Sequence, residues 1–227
     1  MTAPLTSLDR PNSYIGRSVP RPNAKRLLAG RGRYVTDIRL PRMLHAAFLR
    51  SPYAHARITT IDIESARALP GVHLVATGAD LAKICTPWTG TLDHFKGMTS
   101  EPQLPLPLDR VVWAGQAVVA VVAESRALAE DALELISVDY EELPVVVDLD
   151  AARASDAPRV NPAAPSNICF RTQLDSGGVD EAFASAAHVI EQEFSFGRHT
   201  PVTLEPRAIV ADYDPEGGTL TVHHATQ

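Results

Sequence analysis

Cysteine, long apolar runs and aromatic residues are all scarce in this chain, and each shortage excludes a class of protein. Two cysteines in 227 residues, Cys85 and Cys169, cannot build a disulfide framework and lack the paired spacing of a zinc site. Both are expected to be reduced, partly buried thiols. The longest uninterrupted apolar run, Ala117–Ala123, has seven residues, well short of the ~18 that a membrane span requires. Met1–Arg10 lacks the apolar core of a secretory signal, so a cytoplasmic chain without a membrane segment is the expectation. Aromatics make up only 6% of the residues, too thin a supply for base-stacking ladders. No internal repeat and no low-complexity tract is present.

What is there suits a globular chain: 45% hydrophobic and 21% charged residues, with enough length to bury a core without staples. The charge is uneven. Residues 1–50 carry ten Lys and Arg against Asp9 and Asp37, a net of +8, while the remainder nets −14. A basic arm can serve nucleic acid. These residues (among them Arg10, Arg17, Lys25, Arg31 and Arg42) are instead spread through turns and a strand, and the whole chain is acidic at −6. An arm lying against an acidic partner or subunit fits better than nucleic-acid binding.

Periodicity and turn residues divide the chain. The first two dozen residues, rich in Pro, Ser and Arg, read as an extended arm. Gly30-Arg31-Gly32 turns into a short strand at Tyr34–Thr36; it lacks the third glycine and the flanking elements of a dinucleotide fingerprint. Strands are expected at Met43–Arg50, Arg57–Ile63 and Val72–Ala76, with a short helix capped by Asp62 and stopped by Pro70-Gly71. A brief helical turn follows at Asp80–Ile84. Proline and glycine from Thr86 to Leu108 deny both helix and sheet, leaving a long loop that a partner covers or that stays on the surface.

Val111–Glu124 is the strongest strand signal, with a turn or bulge at Gly115 and an AVVAVVA run apolar on both faces, as a central strand requires. Ser125 caps a helix over Arg126–Leu135, and Ser137–Tyr140 returns as a strand. That strand–helix–strand order predicts at least one parallel crossover. The Ala/Pro/Ser/Asp stretch from Asp150 to Asn167 reads as a linker. Beyond it, a helix at Val179–Ala187, a strand at His188–Phe196 and a hairpin of Ala208–Tyr213 with Thr219–His223 around Asp214–Gly218 are expected.

No self-contained active site emerges residue by residue. The eight histidines include no His-x3-His pair, and His223 and His224, adjacent in a strand, point to opposite faces. Ser51 and His55 lack a nucleophile elbow, and Ser51-Pro52 reads as a turn. Glu141, Glu142, Glu191 and Glu193 are explained by solvated faces or ion pairs. Neither catalytic nor metal-ligating residues are assigned.

Together the segments say more. Leu28–Ile38 (LAGRGRYVTDI), Met43-Leu44-His45 and Arg50–Ala56 (RSPYAHA) resemble the opening of the molybdenum hydroxylase large subunit, the family of xanthine dehydrogenase, aldehyde oxidase and carbon monoxide dehydrogenase. The likeness continues in order through Pro70-Gly71-Val72, Gly115-Gln116 and Val138–Pro144 (VDYEELP). It runs on through Gly178–Phe183 (GVDEAF), Leu204-Glu205-Pro206 and Ala225-Thr226-Gln227, and so covers residues 12–227.

The resemblance implies a mixed α/β (α+β) fold: an arm (1–24), an α/β hammerhead domain (25–148), a linker (149–167) and the beginning of a molybdenum-cofactor-binding domain (168–227). It implies an oxidoreductase that hydroxylates small substrates (aldehydes, N-heterocycles, CO or similar) with water as the oxygen source. The cofactor would be molybdenum-molybdopterin, in the cytosine dinucleotide form, with FAD and 2Fe-2S on partner subunits or domains and an oligomeric complete enzyme. The family places a glutamine beside the molybdenum oxo group, and Gln227 matches it; a neutral amide can donate there without adding charge. The family's general-base glutamate and remaining pterin contacts fall beyond that glutamine. The expectation is therefore an N-terminal portion, inactive alone and completed by the rest of the cofactor domain. The alternative is a non-catalytic binding or assembly module that reuses the hammerhead fold.

Overall fold

The computed structural model describes residues 14, 18–92, 94–197, 199–200 and 202–226. In chain order the elements are α1 (Ala24–Leu28), a 3₁₀ turn (Val35–Asp37), β1 (His45–Arg50), β2 (Ala56–Asp62), α2 (Glu64–Arg67), β3 (Val72–Thr77) and α3 (Gly78–Leu81). There follow β4 (Arg110–Val111), β5 (Ala117–Ala123), α4 (Arg126–Leu133), β6 (Ser137–Glu142), α5 (Leu149–Arg153), α6 (Val179–Ser185), β7 (Ile209–Asp214) and β8 (Thr219–His224). The chain divides into two units: Pro41–Gln192, and the segments up to Leu40 with those from Glu193 onward.

The larger unit is built on two three-stranded sheets, ordered β1-β5-β3 and β4-β2-β6. β5 is central to the first, as its composition demands. Val118, Val119, Val121 and Ala123 are all fully buried, and adjacent residues point to opposite faces, so both faces are covered. Its partners run antiparallel to it, Ala47 opposite Val121 and Val75 opposite Val121. Helix α4 contributes Ala129 and Ala132 to the same core, which Ala56 and Val111 join from the second sheet. The Ser125 hydroxyl accepts the Leu128 N–H at 3.1 Å, so the helix is capped as its sequence predicts.

The parallel crossover does not form. All strand pairs in both sheets are antiparallel. The chain leaves β5 in one sheet, passes through α4 and enters the other sheet as β6, beside β2. The strand signal at 111–124 is interrupted at Gly115, where a turn or bulge is expected and φ is +86°, and the two parts enter different sheets, β4 in one and β5 in the other.

The long loop is anchored rather than free. Leu106 is buried, and a Cβ on Gly78 would stand 1.9 Å from the Pro107 carbonyl oxygen, so only glycine admits that approach. Trp88 and Gln103 exchange two backbone hydrogen bonds of 2.8 Å. Phe95 stacks on Phe170 with ring centroids 4.4 Å apart, and the Cys169 carbonyl accepts from the Thr99 backbone N–H and hydroxyl. Cys169 is therefore exposed on a loop rather than partly buried; Cys85 is half-buried, and both are free thiols.

The Ala/Pro stretch after β6 carries α5, begun by Asp148 accepting the Ala151 N–H at 2.8 Å. Asn167 ties the loop behind it, donating to the Ala152 and Pro158 carbonyls and accepting from the Val160 N–H.

In the smaller unit, Val35–Asp37 is a 3₁₀ turn rather than a strand, because the Asp37 carboxylate reaches back to accept the Tyr34 N–H at 2.9 Å. The expected hairpin forms as β7–β8, with Asp214 opposite Thr219 and Ile209 opposite His224, so Asp214 ends the strand rather than opening the turn. The expected strand at 188–196 is absent among the described residues. A strand needs a ladder partner for its N–H and C=O groups, and none pairs with this segment among the described residues.

Candidate functional site

The segments carrying the family resemblance converge in two places, one in each unit. In the larger unit, Arg50–Ala56, Gly115-Gln116 and Val138–Pro144 knit together. Ser51 N–H donates to the Gln116 carbonyl and Gly115 N–H to the Ser51 carbonyl, both at 2.8 Å. The Gln116 side chain accepts the Val112 N–H at 2.8 Å, and the Arg50 guanidinium donates to the Gly115 carbonyl at 2.9 Å. Across the other sheet, Leu143 N–H donates to the His55 carbonyl at 3.0 Å, Tyr53 and Tyr140 rings sit 5.1 Å apart, and Arg57 pairs with Glu141 at 3.1 Å. That ion pair is half exposed and is worth at most ~1 kcal/mol.

Ser51 and His55 are buried but do not form a nucleophilic pair. The Ser51 hydroxyl is spent on Tyr53, donating to its carbonyl and accepting its N–H at 3.1 and 3.0 Å. His55 Nδ1 lies 2.7 Å from the Pro144 carbonyl. A carbonyl only accepts, so Nδ1 is the donor in this contact. Nε2 is buried without a partner among the described residues. Burial lifts the Tyr140 phenol above its ordinary pKa, partly opposed by the nearby Ser51 hydroxyl. These motifs are stitching between two sheets, and their chemistry is structural.

In the smaller unit, the Val35 N–H donates to Glu205 Oε1 at 3.1 Å across 170 residues of chain. The Leu28–Ile38 segment is thereby joined to Leu204-Glu205-Pro206. Thr203 supports the glutamate by donating to its carbonyl at 2.7 Å. The Ala225 N–H bonds the Ala208 carbonyl at 3.1 Å, extending the β7–β8 ladder toward the end of the hairpin, where Thr226 Oγ1 partners His224 Nδ1. Gln227, the one residue assigned to the cofactor from sequence, lies outside the described residues. Two of the basic side chains are used locally: Arg39 donates to the Thr36 and Ile38 carbonyls, and Arg26 to the Arg31 carbonyl.

A shallow cleft of about 360 Å³ in the larger unit is lined by His55, Arg110, Leu143, Pro144, Pro158, Arg159 and Pro162. Sequence reasoning did not single it out. Its residues come from the residue before β2, the start of β4, the two residues after β6 and the stretch after α5, and no local spacing links them.

Comparison with known proteins places this architecture. Residues 29–144 match the model of the aldehyde oxidase and xanthine dehydrogenase α/β hammerhead domain, and residues 160–227 match the molybdopterin cofactor-binding domain. The chain belongs to the aldehyde oxidase and xanthine dehydrogenase family of molybdopterin-dependent oxidoreductases. Over 97% of its length it is 40% identical to the nicotine 6-hydroxylase large subunit of Paenarthrobacter nicotinovorans, and 36% identical to the carbon monoxide dehydrogenase large chain of Afipia carboxidovorans. Among solved structures, quinoline 2-oxidoreductase from Pseudomonas putida 86 superposes with a TM-score of 0.85 at 43% identity, covering 93% of this chain and 27% of that one. The chain spans 28% of the length of each of the two curated relatives.

The described residues do not by themselves fit the molybdenum-pterin group. Among them no three His, Cys, Asp or Glu side chains gather to hold a metal ion. Among the described residues the unpartnered buried side-chain atom is His55 Nε2, which belongs to the hammerhead match and not to residues 160–226. In that later segment Leu204, Ile209, Tyr213 and Leu220 are exposed. No helix of the described residues is long and apolar enough to cross a membrane.

Proposed function

We propose that this chain supplies the N-terminal part of a molybdenum hydroxylase large subunit: an arm (1–24), the hammerhead domain (25–148), a linker (149–167) and the first segment of the cofactor-binding domain (168–227). The complete enzyme oxidises a small substrate of the aldehyde, N-heterocycle or CO class with water as the oxygen source. The molybdenum-molybdopterin group, in its cytosine dinucleotide form, supplies the redox step when bound. FAD and 2Fe-2S groups on partner subunits or domains carry the electrons away, in the cytoplasm. Gln227 is the residue assigned to the cofactor.

The observation that carries this reading is the contrast between matched sequence and uncovered surface. Residues 160–227 match a cofactor-binding domain, yet the hairpin within it leaves its apolar side chains in water. A two-stranded hairpin is marginal alone and gains stability when a face is covered. Further residues of the cofactor domain are the natural cover. In this unit the chain's own part is to join Val35 to Glu205, fixing the edge on which those residues settle.

The test is metal content and turnover. Purified alone from a cofactor-competent host, the 227-residue chain is expected to carry no molybdenum and to show no hydroxylase activity. Supplied with the remaining cofactor-domain segment and the FAD and iron–sulfur subunits, it should acquire molybdenum and transfer label from ¹⁸O-water into product. Stoichiometric metal with turnover in the chain alone would sink the proposal. Failure to associate with any of those partners would favour a non-catalytic assembly module.

A further inference from the structure

The smaller unit is made from two stretches of chain that the whole larger unit separates, one ending at Leu40 and the other beginning at Glu193. The hammerhead family model already covers residues 29–40, yet these residues pack with the later stretch. The 3₁₀ turn Val35–Asp37 lies against β7, and Val35 is the one buried apolar residue of this unit among the described residues. Its N–H opens the turn, where a helical N–H has no partner of its own. Neighbouring groups are satisfied locally: the Asp37 carboxylate accepts the Tyr34 N–H at 2.9 Å, and the Ile38 N–H donates to the Val35 carbonyl at 3.1 Å. The Val35 N–H is taken instead by Glu205 Oε1 at 3.1 Å. Glu205 is half-buried, four residues ahead of β7, and its own carbonyl accepts the Thr203 hydroxyl at 2.7 Å.

We propose that Glu205 is a positioning residue of the cofactor-binding unit: its carboxylate clamps the segment around Val35 onto the chain entering β7, so that residues 29–40 serve as a strap of that unit and not as the start of the hammerhead. A residue nearly closed to water leaves its N–H unpaired only at a cost, so the clamp is held by need on the strap's side. What the N–H requires is an acceptor, which a glutamine oxygen supplies and an alanine does not. The carboxylate adds strength, because charge-assisted hydrogen bonds are the stronger ones. Holding the strap fixes the entry of β7, and β7 with β8 leads the chain on toward residue 227. The clamp needs only the smaller unit; its service to a cofactor rests on the function proposed above.

Amide hydrogen exchange of the full chain, read by NMR, tests the clamp. Glu205→Ala should speed exchange of the Val35 amide about tenfold, the loss of one charge-assisted hydrogen bond, while Val121 in β5 is unchanged. Glu205→Gln should stay within about threefold of wild type. Val35→Pro deletes the same donor at a helix start, where proline is accepted. Like Glu205→Ala, it should hasten tryptic cleavage after Arg33 and Arg39, and joining the two changes should add nothing further. Should Glu205→Ala unsettle the hairpin outright, Val35→Pro and Glu205→Gln still decide the matter. In the enzyme completed with the remaining cofactor-domain segment and its partner subunits, Glu205→Ala should lower molybdenum per large subunit several-fold. Turnover per bound molybdenum should hold, and Glu205→Gln should restore the metal. Equal Val35 exchange in wild type and Glu205→Ala, or a Glu205→Gln as damaging as Glu205→Ala, would overturn the clamp. Full molybdenum in Glu205→Ala would overturn its role in positioning the cofactor unit. A completed wild-type assembly without molybdenum would count against the proposed function and leave the exchange result standing.

Discussion

Family models match residues in both the larger unit and the smaller one, but the two units differ in what they do with that sequence. In residues 41–192 the apolar side chains find one another: β5 is buried on both faces, and two sheets share a core. In residues 193–226 every strand side chain of β7–β8 is exposed or half-exposed. The difference shows that a family motif can be complete as a sequence and incomplete as a surface. The hammerhead motifs bond to one another inside their own unit, whereas the hairpin's ladder is satisfied and its faces are not.

The sharpest way to break this comparison is to trim one apolar side chain in each region. Val121→Ala removes two methyl groups from a fully buried site in β5. It should cost roughly 2–3 kcal/mol of stability in urea unfolding of the chain. Leu220→Ala in β8, where the side chain is 60% exposed, should cost below ~0.5 kcal/mol. Equal losses would mean that the hairpin is packed after all. Once the rest of a cofactor domain covers it, the Leu220→Ala cost should rise while the Val121→Ala cost stays put.

A second test probes the anchored loop. Gly78→Ala sets a methyl group against the Pro107 carbonyl, and backbone cannot swing aside as a side chain would. The expected loss is about 1–3 kcal/mol, with Leu106 leaving its buried site and Trp88 fluorescence reporting the movement. A loop held only by an external partner would not respond.

Helix caps give a smaller contrast. Ser125→Ala removes the cap of α4 and should cost ~1 kcal/mol. In α6 the N-cap is Gly178, with no side-chain cap, and Ser185 only returns a bond to the Glu181 carbonyl at 2.8 Å. Ser185→Ala should change stability by less than ~0.5 kcal/mol. A cost for Ser185→Ala equal to that for Ser125→Ala would show α6 to be as firmly held as α4.

These contrasts also mark what the sequence makes legible. Element types were readable where pattern and punctuation agree: AVVAVVA as a central strand, Ser125 as a cap, Asp214–Gly218 as a hairpin turn. Pairing partners were not. The apolar pattern of β5 and β6 is the same whether they share a sheet or not, so it carries no signal for the antiparallel arrangement or for the switch of sheets at Gly115. The segment 188–196 alternates like a strand, but alternation describes a face and not a neighbour. For the candidate site, the segments were legible as an ordered set, and their roles as contacts were not. His55 meets Pro144 across 89 residues and Val35 meets Glu205 across 170, separations that carry no local signal. Gln227 stays an assignment from resemblance.

The smallest effect is electrostatic and confined to the larger unit. Asp80 closes the start of α3, its carboxylate accepting the Thr77 N–H and hydroxyl at 3.0 and 2.9 Å. Those two hydrogen bonds, helped by the charges of Lys83 and Arg67, hold its pKa below the ordinary carboxylate value. A carboxylate with a lowered folded pKa adds stability that is fully present above its unfolded pKa of about 3.9 and vanishes as pH falls through the lower folded value. Melting temperatures of wild type and Asp80→Asn should therefore differ near neutrality, with wild type higher, and converge in acid below pH ~4. The gap should narrow with added salt, since the group is partly open to solvent. A gap that persists unchanged into strong acid would assign the effect to the shape of the turn instead of its charge. A difference seen only in the fully assembled enzyme would move the weak point of the hammerhead from its own loop to an interface.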